Sequence, residues 1–398
     1  MRIAVISPFV DRRHGTERAV AELIERLAGN YHDQIDLYAQ RVSDIENLTP
    51  SDVPAVSSGG ISWHPVGQFY GPQLLRFPGW LLLNRRARAQ DSRSTGGPPD
   101  VIFSPGVNAL DADVILVHAV FHRLAELDEA RQARSARALH RKLYYAMLCS
   151  LEKRIYSDPR VSLAAVSKRT AGQLARYFGR PDATVIPNGV DSAHFSPAAI
   201  RPLREAARKS RCCGPEHIVL LLVGNDWRSK GLHVVLGALA RAAGLPLYLL
   251  VVGQDDEAPF RAEASRLGLG KRLEFCAPRE DVRAFYAAAD ILVAPSLEDS
   301  FNLPVLEALA CGLPSVVSRN AGVSEWLTHG VDSLLLDDPE DAGELTEALR
   351  ALAEQPQLGR TLAENGVLTA RRFTWDAHAS KLRALLETAA EQKKASRG

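Results

Sequence analysis

Short apolar runs alternate with amphipathic segments along almost the whole chain. In the first half RIAVIS (2–7), QIDLYA (34–39), DVIFS (100–104), DVILVHA (113–119), VSLAAVS (161–167) and ATVIP (183–187) read as buried strands. TERAVAELIERLA (16–28) and SKRTAGQLARYF (167–178) between them carry apolar residues at helical spacing. The second half repeats the theme with HIVLLLVG (217–224), LYLLVVG (247–253), RLEFCA (272–277), DILVAPS (290–296), LPSVVS (313–318) and SLLL (333–336). Its helical patterns include VRAFYAAAD (282–290) and AGELTEALRALAEQ (342–355). Continuously apolar strands separated by helices predict parallel sheets with helices on both faces.

With 398 residues, 46% of them hydrophobic, the chain exceeds what one core serves, so two domains are expected. The charged, turn-rich stretch Arg201 to Arg211 follows VIPNGVDSAHFSP (185–197) and places the boundary near Ser192, with a first domain over 1–191. Two doubly wound domains facing each other make a deep cleft at the carboxyl ends of their sheets, where such sheets bind ligands. Gly224, Gly253 and Asp299 each come just after a predicted strand of the second domain. A nucleotide-binding second domain is the expectation.

One stretch, SLEDSFNLPVLEALACGLPSVVS (296–318), concentrates the candidate chemistry. Pro304 suits a first helical turn, and Gly312 with Pro314 reads as a stop, so a helix is expected from about Leu303 to Cys311. The free N–H groups of its first turn face the loop Asp299-Ser300-Phe301-Asn302 and attract an anion, typically phosphate. Glu307 falls one turn inside, placed either to accept hydroxyls of the phosphate's carrier or simply to sit on a capped core helix. Arg228 and Lys230, in GNDWRSKG (224–231), are cations positioned to face a diphosphate from the other side, or a solvated turn. Gly15 lies between the first strand and the first helix, where backbone approaches a ligand closely. His118 ends a strand and is placed to contact a sugar or stabilise charge, or to be a satisfied rim histidine.

The net charge of +1 argues against a nucleic-acid binder. Cys149, Cys212, Cys213, Cys276 and Cys311 form no C-x-x-C pair and no ligand spacing with histidine, so reduced cytosolic thiols and no metal site are expected. MRIAVISPF starts as a strand rather than a signal peptide, and no apolar run reaches the roughly 18 residues of a spanning helix. Contact with a membrane would be peripheral. Between 74 and 93, LLRFPGWLLLNRRARAQDSR joins Phe77, Trp80 and Leu81 to Leu83 to Arg85, Arg86, Arg88 and Arg93. That composition suits docking on anionic lipid, or a helix with its apolar side buried.

SLEDSFNLPVLEALACGLPSVVS, VIPNGVDSAHF, LLVGNDWRSKG and YAAADILVAPS together resemble the retaining glycosyltransferases of family 4, whose GT-B fold pairs two Rossmann-like domains. The resemblance spans nearly the whole chain. It implies an acidic pair in which Asp299 contacts the donor sugar and Glu307 the nucleotide ribose, with Ser300, Phe301, Asn302 and Leu303 at the phosphate. It also implies Lys230 as a phosphate cation. The family's arginine position is Asn225, leaving that role to Arg228; its N-terminal glycine pair is His14-Gly15, of which Gly15 carries over; and His118 matches a histidine near the donor sugar. RRFTWDAHASKLRALLE resembles the C-terminal helix that crosses back to the first domain, which closes the second domain at 192–375 and leaves 376–398 for that helix. LLVVGQDDEAPF is similar to lipopolysaccharide-core glucosyltransferases, which implies UDP-glucose or a close UDP-sugar as donor and a glycan or lipid-linked acceptor. No cofactor or metal is expected. A dinucleotide oxidoreductase lacks its G-x-G-x-x-G here; a non-catalytic sugar-nucleotide binder stays open.

Overall fold

The computed structural model describes all residues except 13–14, 51–59, 95–96, 130–135, 212, 278–280 and 397–398. The chain divides into two units, Met1–Pro187 with Trp375–Gly398, and Asn188–Thr374. The boundary therefore falls at Asn188 rather than Ser192, and the closing helix starts at Trp375. Inside the second unit, Val190 N–H donates to Phe373 O at 3.0 Å, so the outgoing and returning chain run side by side.

Strands of the first unit are β1 (Arg2–Ile6), β2 (Phe9–Val10), β3 (Gln34–Ala39), β4 (Arg41–Val42), β5 (Leu48–Pro50), β6 (Gly60–Pro65), β7 (Val101–Pro105), β8 (Val114–Val117), β9 (Ser162–Ala165) and β10 (Thr184–Val185). β2 pairs with β4 alone; the other eight form one sheet in the order β10-β9-β8-β7-β1-β3-β6-β5. Every pairing in it is parallel. β7 and β8 are buried at every position, as continuous apolar runs require when helices cover both faces. The helices are α1 (Gly15–Tyr31), α2 (Gln73–Ser94), α3 (Phe121–Glu129), α4 (Ala136–Tyr156) and α5 (Lys168–Phe178). α5 shows why such a segment starts and stops where it does: Ser167 Oγ accepts the Thr170 N–H, and Gly179 closes the last turn at φ 67°.

The second unit opens with α6 (Pro197–Ile200) and α7 (Arg204–Lys209), then alternates β11 (Ile218–Val223), α8 (Leu232–Arg241), β12 (Leu247–Val252), α9 (Ala258–Arg266), β13 (Leu273–Cys276) and α10 (Arg283–Ala288). It continues through β14 (Ile291–Ala294), α11 (Leu303–Ala310), β15 (Ser315–Ser318), β16 (Leu334–Leu336), α12 (Ala342–Glu354) and α13 (Pro356–Ala370). The parallel sheet runs β13-β12-β11-β14-β15-β16. Counted from its first strand this is the 3-2-1-4-5-6 order of a dinucleotide-type sheet, and the order reverses between β11 and β14. In sheets of this order, ligands bind at the loops that leave those two strands. β11 carries Gly224 to Lys230 and β14 carries Pro295 to Asn302.

α14 (Trp375–Ala395) belongs to the first unit, where His378, Ala379, Leu382 and Leu386 are buried and the helix packs on α1 and β7. Arg383 pairs with Asp33 at 2.8 Å and Lys393 with Asp113 at 2.6 Å. Among the described residues no helix is long and apolar enough to cross a membrane.

Candidate functional site

The reversal point of the second unit brings Lys230 and Asp299 together. Lys230 Nζ lies 2.5 Å from Asp299 Oδ2, with the two side chains 20% and 12% exposed. Two features of the backbone hold this geometry. Leu297 N–H donates to Ser229 O at 2.8 Å, which ties the two loops. Gly231, at φ 78°, lets Pro295 O approach to where a Cβ would stand 2.1 Å away, so no other residue fits without the loops parting. Gly224 makes room in the same way for the Lys230 stem, whose Cε lies 2.7 Å from the position of a Cβ.

The loop that carries the cations is anchored from below. Trp227 is 1% exposed, packed against Phe260 and Phe275, and its N–H donates to Asp255 Oδ2 at 2.8 Å. Asn225 Oδ1 accepts the Gln254 N–H at 2.8 Å. Asn225 thus joins the loops after β11 and β12 and leaves Arg228, whose exposed guanidinium has no partner among the described residues, as the second cation of this loop. Asp255 and Asp256 cap backbone N–H groups of Asp256 (2.7 Å) and Ala258 (3.0 Å). Their carboxylates serve turns.

Across from Lys230, α11 begins at Leu303 as the proline and glycine signals require, and its last residue is Ala310, with Cys311 as the cap. Asn302 precedes it at φ 75°, a left-handed conformation that Asn tolerates better than most residues. Its Nδ2 donates to Ser296 Oγ at 3.1 Å, while Oδ1 is buried without a partner among the described residues. Phe301 is 2% exposed against Trp326, and its N–H donates to Asp299 Oδ1 at 3.2 Å. Phe301 therefore anchors the turn, and the N–H groups of Ser300, Asn302 and Leu303 are left without a partner among the described residues. These point the first turn toward an anion.

Glu307 sits one turn into α11, 4% exposed, and accepts a hydrogen bond at 2.5 Å from the Tyr286 hydroxyl. Tyr286 is wholly buried, edge-on to Phe195. Nothing in the Glu307 pattern announces this partner, although a tyrosine on the core face of YAAAD needs one. Burial and the Glu307 charge push the Cys311 thiol well up, so it stays protonated.

In the first unit Gly15 opens α1, and its neighbour His14 lies outside the described residues. His118 follows β8. Its two ring nitrogens are buried with no hydrogen-bond partner among the described residues. Burial first, and then the nearby His378, lower its pKa to about 3. His118 is neutral near pH 7, so it offers hydrogen bonds rather than a cation.

The segment 74–93 falls within α2, which divides the expected cluster. Trp80 and Leu81 are buried, Trp80 donating to Asn108 O at 3.2 Å, whereas Leu75 and Leu82 are each 51% exposed. Arg85 and Arg86 are exposed. Arg88 turns inward, 7% exposed, to pair with Asp111 at 2.8 Å and reach Asn84 Oδ1 at 3.1 Å. The Arg93 side chain lies outside what is described.

Two parallel-sheet Rossmann-like units, one with a phosphate-type helix end facing a lysine–carboxylate pair, define a GT-B architecture. The sequence matches the descriptions "Glycosyltransferase Family 4" over residues 13–194 and "Glycosyl transferases group 1" over 217–355. It is 32% identical over 402 residues to the D-inositol 3-phosphate glycosyltransferase of Geodermatophilus obscurus, covering 94% of this chain and 84% of that one. It is 30% identical over 205 residues to the lipopolysaccharide glucosyltransferase WaaG of Escherichia coli K12, covering 50% of this chain and 54% of WaaG. The match likewise spans about half the length of several other curated relatives, 51% and 54% in two of them. The crystal structure of WaaG superposes with a TM-score of 0.77 at 20% identity, covering 96% of this chain and 99% of that one. Anabaena HepE in complex with UDP and glucose gives 0.70 at 20% identity, covering 98% and 100%. The chain belongs to the family 4 glycosyltransferases.

Proposed function

We infer that the protein transfers a hexose, with retention, from a nucleoside-diphosphate sugar to a glycan or lipid-linked acceptor of the cell envelope. The observation that carries this reading is the meeting of Lys230 and Asp299 at the sheet's reversal point, beside the free N–H groups of the α11 turn. Lys230, Arg228 and the N–H groups of Ser300, Asn302 and Leu303 supply positive potential where diphosphate charge grows as the glycosidic bond breaks. Glu307, held by Tyr286, is the acceptor for ribose hydroxyls, and Asp299 the carboxylate nearest the sugar. The family resemblance gives His118 and Gly15 of the first unit donor-side roles, His118 as a neutral hydrogen-bonding partner. The departing phosphate takes the acceptor's proton. With phosphate charge met by these groups, and Asp255 and Asp256 engaged as caps, donor turnover needs no metal.

UDP-glucose or a close UDP-sugar is the donor. WaaG is a glucosyltransferase and the HepE complex holds UDP and glucose, which supports that choice. The acceptor is met at the inner membrane surface through the outer face of α2, where Leu75 and Leu82 stand beside Arg76, Arg85 and Arg86 and follow Tyr70, 89% exposed.

The test is a thermal-shift series with UDP, GDP, ADP and their sugars, followed by donor turnover. UDP-glucose raises the midpoint by mass action and UDP is released in the presence of acceptor. Binding without release under any acceptor would make the protein a sugar-nucleotide binder; no shift with any nucleotide would remove the reading altogether. For the membrane face, co-sedimentation with anionic liposomes should weaken with salt and disappear in Arg85→Glu/Arg86→Glu. Arg88 is left intact because it is part of the fold.

A further inference from the structure

His122, Cys149 and Glu152 converge in the first unit, His122 some way from the other two in sequence and all three outside every residue assigned above. Cys149 and Glu152 are three apart on α4 and share a face. His122 lies in the first turn of α3, which packs on α4. One donor atom from each lies within 4.8 Å of the other two. Glu152 is wholly buried, its side chain at 0% exposure, and His122 is 25% exposed at the mouth. Phe178 stands edge-on to the imidazole at 4.9 Å and Tyr177 at 5.5 Å, fixing the ring and walling the group with aromatic surface.

Part of this arrangement is a helix cap. Glu152 accepts the N–H groups of Phe121 at 2.7 Å and His122 at 3.1 Å, and it meets His122 Nδ1 at 2.8 Å. A cap accounts for the backbone contacts. It does not account for a thiol and an imidazole turned to the same point. Among the described residues the carboxylate's ion-pair partner is the His122 imidazole at 2.8 Å, a cation only when protonated, with no lysine or arginine nitrogen within salt-bridge distance. A buried carboxylate whose one basic partner is a neutral imidazole is costly.

We propose that His122, Cys149 and Glu152 form a Zn2+ site that clamps the start of α3 to α4. Sulfur, imidazole nitrogen and carboxylate oxygen are the three ligand types of zinc, and three protein ligands leave a fourth position for water. On binding, the Cys149 thiol proton leaves to solvent, and the imidazole binds neutral through one nitrogen with its proton on the other. α3 begins three residues after His118, so the ion would also steady the loop that presents His118. The site lies outside the donor-binding groups and stands or falls independently of the transferase reading.

The experiment uses the full chain, stripped with EDTA and desalted, titrated with Zn2+ against a chromophoric chelator and separately with Co2+. Wild type takes up one equivalent per chain, Zn2+ raises its melting midpoint, and Co2+ gives a thiolate charge-transfer band. Cys149→Ser, close to isosteric, abolishes that band and weakens uptake by more than the about 10- to 100-fold that loss of an outer-shell partner costs. His122→Ala weakens uptake similarly. Glu152 is left in place because it caps α3. Absence of stoichiometric uptake by wild type, or uptake and midpoint shift unchanged in Cys149→Ser, overturns the proposal and leaves a helix cap.

Discussion

Asp299→Asn separates the ion pair that Asp299 makes with Lys230 from the donor-sugar contact proposed for the same carboxylate. Without ligand, Asp299 holds the Lys230 ammonium at 2.5 Å in a pair 20% and 12% exposed. An exposed pair is worth about 0–1 kcal/mol, and removing one member of a fully buried pair costs about 3–5 kcal/mol. This partly covered pair falls between, at about 1–2 kcal/mol. A diphosphate must draw Lys230 away from Asp299 or share it, so the pair opposes binding by part of that amount. Asparagine keeps the shape and the acceptor for the Phe301 N–H but gives up the charge. UDP, which has no sugar to miss the carboxylate, should then bind more tightly by up to about 1–2 kcal/mol, roughly 5- to 30-fold in Kd. Turnover of the UDP-sugar should fall if Asp299 is the sugar-contacting carboxylate proposed above. Calorimetric titration of UDP into wild type, Asp299→Asn, Lys230→Ala and the double variant forms the cycle that isolates the coupling. A folded Asp299→Asn that binds UDP no better than wild type would refute the competition.

Tyr286→Phe removes a buried donor to a charged group, and should lower stability by about 1.5–3 kcal/mol and raise KM for the donor; denaturant midpoints and kinetics read both, and equal UDP affinity in Tyr286→Phe and wild type would detach Tyr286 from Glu307. Arg228→Ala should weaken UDP binding, whereas Asn225→Ala should chiefly lower the melting midpoint by freeing the Gln254 N–H; unchanged UDP affinity in Arg228→Ala leaves the diphosphate to Lys230 and α11. His118 and His378 have pKa values lowered by burial to about 3 and about 4, while the unfolded chain takes up those protons below about 6.5. The unfolded state thus binds more protons between those limits, and stability is whole above pH 6.5 and declines as pH falls, by about 2 kcal/mol per histidine from pH 7 to 5. Urea midpoints at both pH values should show a smaller loss in His378→Gln than in wild type, and equal losses would sink the linkage.

What was legible in the sequence is what local chemistry dictates. The strand runs, the α11 start at Pro304 and the glycines after β11 and β12 each follow from residues within a few positions of one another. Lys230 and Asp299 were legible as members of one site because both follow strands of one parallel sheet. Their direct contact was not, since it depends on the loops being tied at Leu297 and Ser229. The Tyr286–Glu307 bond joins two helices, and Arg88 turning in to Asp111 reverses what its neighbours Arg85 and Arg86 do on the same helix. Periodicity describes the face of an element, and these partners lie on other elements. The group His122, Cys149 and Glu152 shows the limit from the other side, because no spacing pattern covers side chains drawn together from α3 and α4.

Because α14 packs into the first unit, the chain completes that unit last. Asn188–Thr374 is contiguous, so a ribosome delivers that unit whole before Trp375 emerges. The first unit receives its side chains at Leu382 and Leu386, and the partner of Asp33, only afterwards. Until then the side of α1 and β7 that α14 covers stays open. The first unit is thus completed by the last segment to be synthesised. Truncation near Thr374 should leave Asn188–Thr374 native and destabilise the first unit, which loses α14.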